Sequence, residues 1–498
     1  MTGNIGLVGF GAYLPALRLP RKKILDAHGW LNPALAAFAK GELAVCNWDE
    51  DALTMAVEAA RVALPVAKRG DVDRLMLAST TLPFEGRLGG ALLTEALGLP
   101  ADALCLDAGG GLRSGLTAVR LALESDAPQC GLTLCVASDR QQAKPASIRE
   151  MSSGSGAAAL LLGRDKVLAR YLGATSHTTD FVDRFRPRDA NEDIHSDTNQ
   201  DIHWEDRWVR EEGYLKIIPE TVRALLGKLG MSADDVHHLV IPVAMPGVAA
   251  AAGAAVGIPG DRVTDNLSGV CGDVGSAYSL LLLISALERA QPGERILVTA
   301  FGQGCEALLF EATGELAAAR AHLHGTGAAL SRRLVEANYL RHLVAAGQLA
   351  VDTGLRGAAQ GATPLSVAYR ERRALLGFTG GRCPACGTLQ FPRAERCVNP
   401  GCHAGGPQDA VSFAERTARI LTWTADRLAY TPRPPLRYGM VEFDGGGRVL
   451  MEFADVGEQP LDAGMPLRMV FRLRRPAPKL GYRSYFWKAA PLVREAAA

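Results

Sequence analysis

The sequence predicts a layered α/β body made of two similar halves, followed by a small all-β module. Three observations carry this. First, GLPADALCLDAGGGLRSGLTAVRLALE from Gly98 recurs from Gly257 as GIPGDRVTDNLSGVCGDVGSAYSLLLLISALE. Second, strand-like and helix-like segments alternate through residue 315. Third, the pattern changes after residue 376 to short Val/Phe/Arg-rich alternating runs broken by PRPP and DGGG. A repeat period near 160 residues is far longer than any solenoid unit, so it implies two folded halves.

Taken in order, 5–10 reads as a strand, 49–63 as a helix, 73–79 as a strand and 88–97 as a helix. The first repeat copy then reads as a turn, a strand, a glycine-rich loop and an apolar helix. LTLCVAS and GAAALLLG at 156–163 add strands, closing a first half at 1–165. The second half, 166–315, carries an insertion at 176–214 that is polar, aromatic and rich in Asp, His and Trp. A helix at 214–229 and a strand at 238–244 precede the second copy, which leads into RILVTAFG. Residues 316–375 form an Ala/Gly/Arg-rich connector, 376–405 carry a cysteine cluster, and 406–498 form the all-β module.

A chain of 498 residues is long enough for two or three cored domains. Its 54 Lys+Arg balance 53 Asp+Glu, which argues against nucleic acid or an anionic membrane as partner. The longest apolar run, AYSLLLLISAL at 277–287, falls short of the roughly 20 residues a membrane helix needs. The opening IGLVGFG reads as a strand with no basic leader, so no export signal is expected. Six cysteines (46, 105, 130, 135, 271 and 305) are scattered without framework spacing, which fits a reduced, cytoplasmic protein.

The other four cysteines are the most specific chemical signal. CPACGTLQFPRAERCVNPGC sets Cys383 and Cys386 as one close pair and Cys397 and Cys402 as another. Each pair can wrap a metal from one side, giving four thiolates around a structural zinc with no position open for water. Four reduced structural thiols would be the bland alternative, and His403 beside Cys402 an alternative ligand.

The two repeat loops hold the other candidates. Leu112 and Cys271, and likewise Ser114 and Asp273, stand 159 residues apart, so equivalent positions carry different chemistry. Gly109, Gly110 and Gly111 permit close approach of a ligand, or simply form a flexible loop. Each loop feeds a helix start, where free N–H groups and the helix dipole favour negative charge. There Asp273 reads as a general base or a helix cap, and Cys271 as a thiol of lowered pKa or a buried filler. Asp107 reads as a strand-end or capping residue. Arg18, Arg21, Lys22 and Lys23 could meet phosphates or form a solvated edge, and His195 and His203 could reach a pocket from the insertion.

Residues 1 to about 350 resemble hydroxymethylglutaryl-CoA synthase of the thiolase superfamily. The likeness lies in GAYLPALRLPRKKI, DEDALTMAVEAA, the two loops, TDFVDRFRP and GERILVTAFGQG. From about 376 to 490 the chain resembles the zinc-ribbon plus OB-fold proteins that partner thiolase-like enzymes, through LLGFTGGRCPACGTLQFP and GMVEFDGGGRVLMEF. The resemblance implies a thiolase-like five-layer fold of two pseudo-repeated halves, then a zinc ribbon and an OB-fold. It also implies a homodimer acting on acyl-CoA, with coenzyme A as part of the substrate.

The family's catalytic glutamate, cysteine and histidine align with Thr81, Leu112 and Ala244, and its Gly-Asn-Thr loop with Gly272-Asp273-Val274. Leucine has no nucleophile, so no acyl-enzyme can form at Leu112. Three readings follow. The first is a carbon–carbon lyase or ligase working without an acyl-enzyme, as in an aldol or retro-aldol reaction of a 3-hydroxyacyl-CoA. There Asp273 would be the base, and Gly109–Gly111, Leu112, Ser114, Arg18 and Lys22 the substrate contacts. The second is an acyltransferase using Cys271. The third is a non-catalytic acyl-CoA-binding subunit beside a thiolase-like partner.

Overall fold

The computed structural model describes residues 5–125, 131–186, 201–352, 363–457, 460–475 and 481–492. The chain forms two compact units. The first comprises Met1–Val45, Asp51–Ala91 and Leu99–Tyr339, and the second Cys46–Glu50, Leu92–Gly98 and Leu340–Ala498.

The first unit is built on one nine-stranded sheet. Its strands are β1 (Gly6–Tyr13), β2 (Val72–Ala78), β3 (Leu104–Ala108), β4 (Leu132–Arg140), β5 (Ser155–Gly163), β6 (Ala169–Thr178), β7 (His238–Val240), β8 (Arg295–Phe301) and β9 (Gly304–Ala312). They lie in the order β7-β8-β9-β6-β1-β5-β4-β2-β3. β2 runs parallel to β3 and β4, and β7 parallel to β8, while the remaining neighbours are antiparallel. The sheets of the two halves join where Gly6 and Leu7 of β1 pair with Arg170 and Ala169.

Four helices complete the layers. α1 (Ala52–Ala63) starts at a capping box, in which the Asp51 carboxylate accepts from Leu53 and Thr54 N–H while the Thr54 hydroxyl accepts from Asp51 N–H. It packs on β1, β4 and β5, whereas α3 (Ile218–Leu229) packs on β6 and β9. Between the half-sheets lie α2 (Ser114–Glu124) and α4 (Tyr278–Leu287), the helices of the two repeat copies. Every residue of α4 is buried, which is why its sequence is apolar on all sides and shows no helical stripe. The central core joins Leu116 and Val119 of α2 with Leu280–Ile284 of α4 and with residues of both half-sheets. A second cluster packs α3 against Leu297 and Leu309. The five-layer expectation holds. Gly115 is required where the helix starts meet, because a Cβ there would lie 2.4 Å from the Ser276 carbonyl oxygen.

Three expectations change. The strand expected at 238–244 is only His238–Val240, since Pro242 can donate no ladder hydrogen bond. In the second repeat copy the strand shrinks to a single bridge between Val263 and Leu239; a turn at Gly260–Arg262 and the Asp265 carboxylate, which accepts from Leu267 N–H at 2.9 Å, bend the chain away. The connector, expected to be helical or irregular, carries short helices such as Tyr339–Ala346 and adds one strand pairing, of Leu334–Val335 with Leu17–Arg18 in a small separate sheet.

In the second unit, β10 (Thr379–Arg382), β11 (Leu389–Gln390) and β12 (Asp409–Ser412) form an antiparallel ribbon. β13 (Ala418–Asp426), β14 (Leu436–Phe443), β15 (Arg448–Glu452), β16 (Pro466–Leu473) and β17 (Tyr485–Pro491) form an antiparallel sheet ordered β15-β14-β13-β16-β17. Its ends nearly close, for Phe453 bridges Ala489 and Ala454 N–H donates to the Ala489 carbonyl at 2.8 Å. This is the expected OB-like module. Phe378, Phe413, Phe443 and Trp487 fill its interior. No helix among the described residues is long and apolar enough to cross a membrane.

Charges are also buried in this unit. Arg472 lies 2.9 Å from Asp455 and 3.3 Å from Glu50, and Lys488 lies 3.0 Å from Asp49 and 2.8 Å from Glu452. Removing one member of such a set leaves an uncompensated charge indoors. Arg472→Met should therefore destabilise the second unit by about 3–5 kcal/mol in chemical denaturation; a loss under ~1 kcal/mol would show that the group is effectively solvated.

Candidate functional site

The first repeat loop leaves β3 at Ala108 and reaches α2 through Gly109–Arg113, with Gly110 at φ +90°. Ser114 N–H closes the turn on the Gly111 carbonyl at 3.1 Å. The loop lies against the turn between β8 and β9. A Cβ on Gly111 would sit 3.0 Å from Gln303 Oε1, and a Cβ on Gly302 would sit 3.0 Å from Leu112 N. Leu112 is half-buried here. The Ser114 hydroxyl is buried with no hydrogen-bond partner among the described residues. Arg113 pins the loop to β6 through the His177 carbonyl and the Thr178 hydroxyl.

In the second loop Cys271 is fully buried, and its Sγ donates to the Leu267 and Gly272 carbonyls at 3.3 and 3.4 Å. Burial pushes this thiol up to about 12 despite the nearby Arg18. Two residues on, Asp273 is fixed by its backbone: its N–H donates to the Ser152 carbonyl at 2.7 Å, and its carbonyl accepts from Gly154 at 2.8 Å. One carboxylate oxygen accepts from Gly275 N–H at 2.9 Å, and the other lies 3.9 Å from Arg184 Nη2. Burial raises its pKa, and Arg184 draws it back only in part.

A second carboxylate, Asp139 at the end of β4, is bonded very differently. It accepts from the Ser79, Thr80 and Thr81 hydroxyls, from Thr80 N–H and from Ser276 N–H, at 2.7–3.0 Å. Thr81 is thus tied down as a donor to Asp139. Ala244 is half-buried and packs on the central core.

The described part of the insertion folds into a two-stranded ribbon in which Arg184 pairs with His203 and Phe185 with Ile202. Arg184 Nε lies 3.3 Å from Asp183, and its other nitrogens lie 3.9 Å from Asp201 and Asp273. Burial lowers its pKa, but Asp273, Asp183 and Asp201 raise it further, so it stays charged. Gln303 Nε2 reaches Asp183 at 3.4 Å, linking the ribbon to the turn beside Leu112. Arg186 bonds Asp201 and the Thr80 carbonyl. Arg149 Nε donates to His203 Nδ1 at 3.1 Å. Burial, Arg149 and Arg184 together push the His203 pKa far below its ordinary value. His195 lies outside the described residues.

The insertion therefore brings Arg184 and His203 into the neighbourhood of Asp273. Sequence reasoning missed Arg184, Arg149 and Asp139. Arg184 had a usable signal, as an arginine directly after an aspartate in FVDRF, whereas nothing in the sequence marks Asp139 as a hub. Arg18, expected to face a ligand, is instead buried, and its guanidinium donates to the Pro15, Leu17 and Ala329 carbonyls. Lys22 is exposed and pairs with Asp26 at 2.9 Å. Asp107 caps the helix Gly89–Leu97 through Gly89 and Gly90 N–H.

The four ribbon cysteines converge. All four sulfurs of Cys383, Cys386, Cys397 and Cys402 lie within 4.8 Å of one another, with Cys386–Cys397 at 3.5 Å and Cys383–Cys402 at 3.9 Å. A tetrahedral zinc with Zn–S of ~2.3 Å requires sulfurs about 3.8 Å apart, so the set fits the metal. His403 is not part of the cluster.

Known proteins resemble the chain in the same segments. Residues 226–311 match the 3-oxoacyl-[acyl-carrier-protein] synthase III C-terminal family, 370–408 the ChsH2 rubredoxin-like zinc ribbon, and 412–472 the ChsH2 C-terminal OB-fold domain. The hydroxymethylglutaryl-CoA synthase of Pyrococcus horikoshii is 29% identical over 310 residues, covering 60% of this chain and 84% of the relative. A crystal structure of hydroxymethylglutaryl-CoA synthase complexed with CoA is 18% identical at TM-score 0.56, covering 67% of this chain and 88% of that one. MvaS in complex with 3-hydroxy-3-methylglutaryl coenzyme A is 19% identical at TM-score 0.59, covering 73% and 95%. The chain thus resembles hydroxymethylglutaryl-CoA synthase over its body and the ChsH2 zinc ribbon and OB-fold over its C-terminal part.

Zinc should be recovered at one ion per purified chain by elemental analysis, and Cys397→Ser should lower that content and the thermal stability of the second unit. A metal-free protein with an unchanged melting profile would contradict the assignment.

Proposed function

We propose that this fusion of a synthase-like body with a zinc ribbon and OB-fold makes or breaks a carbon–carbon bond of an acyl-CoA without an acyl-enzyme, as in retro-aldol cleavage of a 3-hydroxyacyl-CoA. One contrast carries the reading. Asp139 is saturated by five donors, whereas Asp273 receives one N–H bond and a distant arginine, and burial raises its pKa. The first carboxylate is architectural, and the second is poised to take a proton.

The step balances as follows. Asp273 accepts the 3-hydroxyl proton, and the electron pair freed from the O–H bond closes the C3 carbonyl. The C2–C3 pair moves into the thioester enolate, whose C2 then takes the proton held on Asp273, restoring the carboxylate. Amides of the Gly109–Gly111 loop at the start of α2, with the Leu112 amide and the unpartnered Ser114 hydroxyl, are the donors for the enolate oxygen. The CoA and hydroxymethylglutaryl-CoA complexes of similar proteins support a CoA thioester as substrate. The zinc is assigned a structural role only.

A transferase using Cys271 would need a thiolate. A thiol without solvent access, donating to two carbonyls and pushed up to about 12, speaks against it. A homodimer is supported by the edge strand β3, whose Leu104 and Leu106 are exposed, as is Leu121 of α2. Leu104→Glu should then shift the sedimentation coefficient to that of a single chain; a wild-type protein already monomeric at micromolar concentration would sink that reading. No disulfide joins the described cysteines, which suits a reducing cytoplasm.

The deciding experiment is a cleavage and condensation assay over a panel of CoA thioesters. Asp273→Asn should lower kcat by about 10²–10⁴-fold. Because the carboxylate must be ionised to act, wild-type activity should fall on acidification with a midpoint above the ordinary aspartate value of 3.8. Intact-mass spectra should show no acyl adduct. Inertness throughout, together with copurification of a second thiolase-like chain, would favour a binding subunit instead.

A further inference from the structure

We propose that His203 is a second catalytic residue, whose Nε2–H donates to the 3-oxygen of the acyl-CoA beside Asp273; this deepens the retro-aldol reading and rests on it.

The ring makes one hydrogen bond among the described residues. Arg149 Nε stands 3.1 Å from His203 Nδ1. A guanidinium carries only donors, so Nδ1 must be the acceptor and the single ring proton must reside on Nε2. The tautomer is therefore fixed by chemistry. With Arg149 and Arg184 nearby and the ring half-buried, the imidazolium is suppressed and a neutral donor remains. Among the described residues Nε2 has no hydrogen-bond partner, although Nδ1 is so firmly held.

The position follows from the backbone. His203 pairs across the ribbon with Arg184, which reaches Asp273. Arg149 is anchored separately. Its carbonyl accepts from Ser152 and Ser153 N–H, and the Ser152 carbonyl in turn accepts from Asp273 N–H. The ring and the carboxylate are thus held by two segments that both touch Asp273. A neutral imidazole suits the task, because it stabilises charge developing on the 3-oxygen without neutralising Asp273 as an imidazolium would. In the condensing direction the same N–H polarises the ketone under attack. Arg149 is a positioning residue in this scheme.

The test uses the full chain. Selective ¹⁵N-histidine spectra, assigned with the His203→Gln variant, should show a proton-bearing Nε2 and a bare Nδ1 for His203 with no titration between pH 5 and 8. Arg149→Met should mix the two tautomers. In turnover of the CoA panel, His203→Leu should lower kcat by about 10²–10³-fold, as for loss of one oxyanion donor, with KM within two-fold. His203→Gln keeps a donor amide near Nε2 and should recover at least ten-fold of that loss. A protonated or Nδ1–H ring, or an unchanged kcat in His203→Leu, overturns this proposal while leaving Asp273 chemistry intact. Wild-type inertness overturns both.

Discussion

A single buried carboxylate sets the geometry on which the first unit depends. Asp139 ends β4 in the first half, yet one of its five donors is Ser276 N–H, which opens the approach to the central helix of the second. The other four come from the loop after β2. Charge-assisted bonds of this kind contribute about 1.5–3 kcal/mol each when measured singly, and in a network they do not simply add. Their geometric effect is plainer than their energy. A Cβ on Gly275 would lie 2.3 Å from Asp139 Oδ2, so the chain passes there only as glycine, at φ +67°. Gly275 N–H then fixes one oxygen of Asp273, two residues back.

The site around Asp273 is one of matched, buried charges. Arg184 faces three carboxylates, Arg186 shares one of them, and Arg149 spends its Nε–H on a histidine instead of an acid. Two aspartates in adjoining positions so acquire different characters, one saturated with donors and one left sparse. Environment assigns these roles, since the side chains are identical. Leu112 in the pseudo-equivalent loop is aliphatic and carries no nucleophile, which is why the proposed reaction is one of proton movement and oxyanion stabilisation.

Much of this architecture was legible in the sequence. The duplicated loops announced two halves, and the change of pattern after residue 376 announced the β-module, because burial enforces periodicity wherever an element packs on one face. The four ribbon cysteines were readable because metal ligation demands particular residues at short spacing. The second-copy strand was misread because its residues are β-prone but a local turn at Asp265 wins. Arg18 was misread for a different reason, since basic residues usually lie outside and only the fold reveals the three carbonyls it satisfies. Asp139, Arg149 and Arg184 were invisible as a group because they gather from positions tens of residues apart, and spacing carries no information about such meetings.

The way sulfur is distributed has a consequence for oxidative stress. Cys271 and Cys305 are sealed in the core, with burial holding both thiols up at about 12, and neither offers a thiolate to peroxide. Cys386, by contrast, lies at the surface within the ribbon. Damage in an oxidising cell would therefore reach the ribbon before these two core thiols, so that the second unit's scaffold would suffer before the interior of the first.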